Sequence, residues 1–436
     1  MAVSLAFHII FAMVGIGMPV LMVLAEWRYR RTGDRVLLDL AKRWAKGTAI
    51  LFAVGAVSGT VLSFELGLLW PGFMQFAGAI IGMPFSLEGF AFFTEAIFLS
   101  VYLYGWNRVS PRAHLAAGVL VAVSGALSGV FVVIANAWMN APRGFTMVDG
   151  VPTGVDPIAA MTGPTVIPQV LHMTLASYAA TGLAVAGIHA WHVLREPRNT
   201  FHRHALGLAL RMAVPAVLLQ PLSGDLSAKV VAKWQPAKLA AMEGQFTTER
   251  GAPLRIGGWP DEAARTTRFA LEVPRGLSFL AFADPNAEVQ GLDRVPREDW
   301  PAVAVVHVAF QVMVGLGTAL AALALWATAL RLRRRDFSRH PWLLRALVVA
   351  LPMGFVATEA GWVVTEVGRQ PWIVQGVLRT ADAVTPMPGL MVPFALFTLL
   401  YLFLGVIVVY LLLHQIAGAP VGVATPTPST PREARA

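Results

Sequence analysis

Apolar residues gather into nine runs of about 20, each long enough to cross a hydrocarbon layer about 30 Å thick as an α-helix. The runs lie near 2–26, 44–66, 85–106, 114–138, 168–194, 204–222, 301–328, 343–366 and 388–414. This pattern predicts an all-α polytopic membrane protein. One polar interval breaks it. Residues 223–300 carry mixed charge with many Pro and Gly, in stretches such as GDLSAKVVAKWQPAKLAAMEGQF and RGAPLRIGGWPDEAARTTR. The chain therefore divides into six spans over 1–222, a long loop over 223–300, three spans over 301–416 and a tail over 417–436. The tail, ending APVGVATPTPSTPREARA, has the composition of a disordered segment.

Charge then orients the spans. Arg28, Arg30, Arg31, Arg35, Lys42 and Arg43 follow the first run, Arg108 and Arg112 the third, Arg195, Arg198 and Arg203 the fifth. Arg331, Arg333, Arg334, Arg335 and Arg339 follow the seventh, whereas the connectors after the second and fourth hold only Arg143. By the positive-inside rule the N-terminus lies outside and the C-terminus in the cytoplasm, which puts the long loop outside; long loops translocate regardless of their own charge. The net charge of +9 thus reflects membrane topology, not a nucleic-acid surface, and the surrounding partner is lipid. With 56% hydrophobic and 14% charged residues among 436, a soluble domain is excluded. The absence of cysteine excludes disulfides, thiolate metal sites and iron–sulfur clusters built from this chain. The first run lacks a charged leader and a small-residue cleavage site, so a retained helix is expected.

Placed on this topology, residues of unusual chemistry converge on the outer side. His8 sits near the outer start of the first helix and His172 near that of the fifth; Met313 lies about a third of the way into the seventh. Glu88 is expected to open the third helix, with Glu95 two turns deeper on the same face. Glu366 ends the eighth within TEAGWVVTEVGRQPW, where Glu359 lies seven residues earlier and Trp362 between them. An ionisable group at membrane depth needs a partner, a proton or a cofactor. For Glu366 the plain alternative is a helix-end salt bridge to Arg369. Histidine, methionine and carboxylate without cysteine suit haem iron, and the same atoms could hold non-haem iron or copper. Singly, a membrane histidine is more often a helix–helix hydrogen-bonding group, and Met313 is one of 16 methionines. His189, His192, His202 and His204 fall on the cytoplasmic side, and His307 with Gln311 one turn on reads as a polar interface. Lys238 and Glu243, taken alone, read as a solvated helix face.

Six separated motifs carry a resemblance that spans nearly the whole chain: FHIIFA around His8, EGFAFFTE from Glu88 to Glu95, VLHMTLASY around His172, KWQPAKLAAMEGQF in the long loop, FQVMVGLG around Met313, and GWVVTEVGRQPW. In order and spacing they resemble subunit I of the cytochrome bd-type quinol oxidases. The resemblance implies a bacterial cytoplasmic-membrane enzyme that oxidises quinol (ubiquinol or menaquinol) outside and reduces O2 to water, building a proton gradient without pumping. It implies His172 and Met313 as the axial pair of a low-spin haem b. His8 and Glu366 would be the single firm ligands of two high-spin haems, one haem b and the other haem d (or a further haem b). Glu88 would stand beside the oxygen-binding haem and Glu95 on the proton route. Trp362 and Arg369 would pack on the haems or pair with their propionates. Lys238 and Glu243 would serve the quinol site in the long Q-loop. A second large subunit, and in some members a single-helix one, is implied as partner.

Two residues depart from the best-known members. The Glu88-to-Glu95 gap is seven rather than eight, which keeps both acids on one face. Gln311 stands where an arginine is expected, and loss of that cation lowers the potential of a nearby haem. Both features, with the short Q-loop, resemble the cyanide-insensitive branch. The competing readings are a haem-binding paralogue with another donor or acceptor, and an ion or proton transporter. The transporter lacks support from internal repeats or matched broken helices.

Overall fold

The computed structural model describes residues 1–417, so the expected tail lies almost wholly outside the described residues. Among them, nine helical spans are long and apolar enough to cross a membrane. The first four are α1 (Ala2–Thr32), α2 (Arg35–Leu69), α3 (Pro71–Tyr104) and α4 (Pro111–Asn140). After a one-turn α5 (Pro157–Met161) come α6 (Val166–Arg195) and α7 (Thr200–Trp234). Two short helices of the long loop follow, α8 (Pro236–Glu243) and α9 (Gly276–Phe282). The seventh span is α10 (Val303–Leu332); the eighth is α11 (Pro341–Ala350) plus α12 (Met353–Val367); α13 (Thr380–Ala383) precedes the ninth, α14 (Met391–Leu412). The break inside the eighth falls at Pro352, which cannot donate the next helical hydrogen bond.

Each predicted span is present, with two informative differences. The third begins at Pro71 instead of near 85, so Glu88 lies in mid-helix rather than at its start. Pro84 looks like a first-turn proline, yet the helix runs through it. The reason is packing: Phe73, Ala77, Ile80 and Ile81 on the upstream turns form a buried cluster with Trp138, and burial outweighs the proline cost. The sixth span continues to Trp234, so the first turns of the polar interval are still helical.

Small residues let the helices approach. A Cβ on Gly182 of α6 would come within 2.8 Å of Ala213 Cβ on α7, and one on Gly354 of α12 within 2.6 Å of the Ala180 backbone. Such small-residue seams are how membrane helices pack without a hydrophobic driving force between them. At the arginine-rich end the core joins Met22, Leu40, Leu206 and Leu343.

All strands are short, antiparallel ribbons. The first pair is β1 (Thr146–Val148) with β2 (Val151–Thr153). In the long loop β3 (Glu249–Arg250) pairs β8 (Glu288–Val289), β4 (Leu254–Ile256) pairs β7 (Leu271–Val273), and β5 (Trp259–Asp261) pairs β6 (Thr266–Arg268). After α12, β9 (Trp372–Val374) pairs β10 (Leu378–Arg379).

Candidate functional site

The two histidines are held alike. His8 Nδ1 lies 2.8 Å from Ser58 Oγ on α2, and His172 Nδ1 lies 2.9 Å from Ser223 Oγ on α7. Ser58 and Ser223 in turn donate to the Gly55 and Gln220 carbonyls at 3.0 and 2.9 Å. With Nδ1 tied to a hydroxyl, ring orientation is fixed and Nε2 is the nitrogen available to a ligand. For His8 that nitrogen makes no protein hydrogen bond among the described residues, and the neighbouring Gly59 would place a Cβ 3.1 Å from its Cε1. For His172, Gln220 Nε2 stands 3.2 Å from Nε2, a weak occupant that a stronger bond would displace.

Met313, half-buried on α10, points its sulfur at α12. A Cβ on Gly361 would lie 2.9 Å from Met313 Sδ, so only glycine leaves the thioether in place. Gly361→Ala is expected to fold but to push the sulfur aside. A reduced-minus-oxidised spectrum should then show the low-spin haem band weakened or shifted, and an unaltered band would dissociate Met313 from that role.

At the end of α12 the helix-end ion pair does form. Arg369 Nη2 donates to Glu366 Oε2 at 2.5 Å, and Asn136 Nδ2 of α4 donates to Glu366 Oε1 at 2.5 Å. Yet Arg369 is fully buried, and its Nε and Nη1 have no hydrogen-bond partner among the described residues. A guanidinium is always charged, and two buried donor nitrogens left unpaired are costly. Arg369 is therefore built to receive a further anion. Glu359, two turns from Glu366 on the same helix, also has an Oε1 without a hydrogen-bond partner among the described residues. Trp362 lies half-buried between them.

A hydrogen-bonded chain leads from this pair to the long loop. Asn140 Nδ2 donates to Asn136 Oδ1 at 3.0 Å; Asn140 Oδ1 accepts from Gln235 Nε2 at 2.9 Å and from Lys238 Nζ at 2.6 Å. Lys238 Nζ also donates to Gln235 Oε1 at 3.1 Å, and its stem packs where a Cβ on Gly368 would sit. Asn136, Asn140 and Gln235 escape notice in the sequence, although the spacing of NAWMN offered a signal. Two asparagines four apart in an apolar span share a face and must find partners.

The solvated-face reading of Lys238 and Glu243 fails, since both are buried. They do not act as one contact pair. Five residues apart on α8, they diverge by about 140°, and no hydrogen bond joins them among the described residues. Burial pushes the Lys238 ammonium well below its ordinary pKa, helped by the Arg369 charge and opposed by Glu366. Burial raises the Glu243 carboxyl to about 8, against the pull of Arg255. Glu243 Oε2 has no hydrogen-bond partner among the described residues.

α10 also clamps this loop. His307, fully buried, has Nδ1 2.8 Å from the Met242 carbonyl and Nε2 3.0 Å from the Gly257 carbonyl. Gln311 accepts from Gly257 N–H at 2.9 Å and donates to the Arg255 carbonyl at 3.0 Å. The residue that replaces the expected arginine is thus spent on loop backbone.

In the interior, Glu88 accepts from Ser128 Oγ at 2.9 Å. A Cβ on Gly125 would meet the Glu95 carboxyl at about 3.1 Å. Ser128 and Gly125 lie on one face of α4, so both acids face that helix, as a seven-residue spacing requires. Glu95 is buried, and its Oε1 has no hydrogen-bond partner among the described residues.

Among the described residues no three His, Cys, Asp or Glu gather as a bare metal ion would need. Isolated single donors, oriented histidines and a buried guanidinium short of anions fit porphyrin-held iron instead. Haem brings four nitrogens of its own and propionates for an arginine.

Residues 1–420 match the family described as cytochrome bd terminal oxidase subunit I. A Bacillus subtilis (strain 168) protein provisionally named as a cytochrome bd menaquinol oxidase subunit I is 37% identical over 422 residues, spanning 96% of this chain and 95% of its own length. A second B. subtilis protein, a cytochrome bd ubiquinol oxidase subunit 1, is 30% identical over 94% of this chain and 90% of its own. The solved bd oxidase from Geobacillus thermodenitrificans superposes with a TM-score of 0.90 at 38% identity, covering 96% of this chain and 97% of that one. The chain belongs to the cytochrome bd terminal oxidase subunit I family.

Proposed function

We propose that the chain is the haem-bearing subunit of a quinol:oxygen oxidoreductase in the bacterial cytoplasmic membrane. A cytochrome carries haem, a subunit I has a partner subunit, and a quinol oxidase takes quinol and O2 as substrates. The finer assignment rests on the residues. His172 and Met313 would hold a low-spin haem b. His8 and Glu366 would hold the high-spin haem b and a haem d (or a further haem b), with Trp362 packed alongside. When bound, haem iron supplies the one-electron carriers and the oxygen-binding centre.

The protein's own part is to position and to move protons. Arg369 offers Nε and Nη1 to a propionate. Glu243 accepts a proton from quinol, and Lys238 with Gln235 and Asn140 supplies the polar wall of that site. Protons for oxygen reduction come from the arginine-rich side through Glu95 and then Glu88. Quinol protons leave on the face carrying the long loop. Proton release and proton uptake on opposite sides of the dielectric charge the membrane without a pump. The domain division follows the same logic: spans over 1–222 and 301–416 hold haem, and the segment 223–300 serves quinol on the outer face.

Buried Arg369, paired on one nitrogen and open on two, is the observation that most strongly supports this reading. The purified complex should show haem absorbance that sharpens on dithionite reduction, and should consume O2 when given quinol. A colourless preparation would end the oxidase reading. A far-red reduced band would fix haem d at the oxygen site, and its absence a further haem b.

A further inference from the structure

The long loop carries an apolar surface that the oxidase chemistry does not use. On its β4–β7 and β5–β6 ribbons, Phe269 is 94% exposed, Leu271 67%, Trp259 59% and Ile256 51%. Ile256 and Leu271 are cross-strand partners, and Trp259 opposes Arg268. A polar loop in water does not gather four large apolar side chains on adjoining ribbons.

Their depth says what covers them. The His307 and Gln311 clamp fixes the backbone of Arg255 and Gly257 against α10. With a rise of about 1.5 Å per residue, His307 lies about 6 Å and Gln311 about 12 Å below the first residue of α10. α10 has 30 residues, which makes it about 45 Å long against about 30 Å of hydrocarbon, so each end projects about 7 Å. The clamped strand therefore lies level with the boundary between headgroups and acyl chains. Beside it, Val308 and Val312 of α10 are exposed as a lipid-facing surface would be. Aromatic and aliphatic residues next to an arginine are the composition of a membrane–water interface.

We propose that these ribbons form an interfacial foot, with Trp259, Phe269, Leu271 and Ile256 inserted among lipid headgroups of the outer leaflet. The partner is the lipid surface itself, and the foot is continuous with the lipid-facing side of α10. It anchors a loop that the two polar side chains of α10 have already pulled down to membrane level.

The chain has no cysteine, so Phe269→Cys gives a spin label unique within it. The test uses the assembled oxidase in vesicles of phosphatidylcholine and phosphatidylglycerol, with Glu298→Cys, exposed just before α10, as reference. Collisions with dissolved oxygen should exceed those with a water-soluble nickel chelate at 269, with the order reversed at 298. Leu271→Cys should behave as Phe269→Cys does. Chelate access at 269 equal to that at 298 would place the ribbons in water and overturn the proposal. Shielding from both reagents would overturn it too, by showing a protein partner on this surface.

Discussion

Met313→Leu is expected to remove the low-spin haem signature from the reduced spectrum while the protein still folds and inserts. Leucine matches methionine closely in volume, and hydrophobic swaps of this kind cost less than about 1.5 kcal/mol. The site tolerates the exchange, because the thioether lies against Gly361 and no side-chain hydrogen bond reaches it among the described residues. What leucine lacks is the sulfur lone pair. Outer-shell partners of a metal ligand are worth about 10–100-fold in affinity or activity, and the ligand itself should be worth at least the upper figure. Quinol oxidation is therefore expected to fall by about 10²-fold or more, with the signals assigned to His8 and Glu366 retained. His172→Ala should have the same phenotype, whereas His8→Ala should spare the low-spin band. Survival of both the low-spin band and quinol turnover in Met313→Leu would show that the thioether is ordinary core.

What sequence could show about this site follows from what each residue has to satisfy. The spans were legible because about 20 consecutive apolar residues have few alternatives to a membrane helix. His8, His172, Met313 and Glu366 stood out because polar donors at one depth on separate helices need a common cause. The start of the third span was not legible, since a run counted from near 85 carries no information about Trp138, the distant residue that makes the upstream turns worth forming. Lys238 and Glu243 were opaque for a related reason. On the pattern of α8 alone they look wet, and only the arrival of Asn140 and Gly368 from α4 and the end of α12 buries Lys238. The same holds for Gln311: its identity announced a missing cation, but its bonds to Arg255 and Gly257 depend on a loop fold that no spacing encodes.

Glu243→Gln is expected to abolish a pH dependence that the unaltered enzyme should display. A carboxyl raised to about 8 is protonated at neutral pH, and only its ionised form can take a proton from quinol. The sign follows directly. kcat/KM for quinol rises as pH increases through about 8 and levels above it. Two units below that value, at about pH 6, roughly 1% of the carboxyl is competent. Glutamine preserves the shape of the side chain but cannot act as a base, so kcat/KM should fall by about 10²–10⁴-fold above pH 8 and lose its rise. Lys238→Met offers an independent arm. It strips donors from Asn140 Oδ1 and Gln235 Oε1, raising KM for quinol as well as lowering kcat, while dithionite still reduces every haem. Arg255→Gln tests the cause of the shift: without the cation that holds Glu243 down, the pH midpoint moves higher. A wild-type profile that is flat between pH 6 and 9, or one that Glu243→Gln leaves unchanged in shape, would remove Glu243 from proton transfer and leave it a buried structural acid.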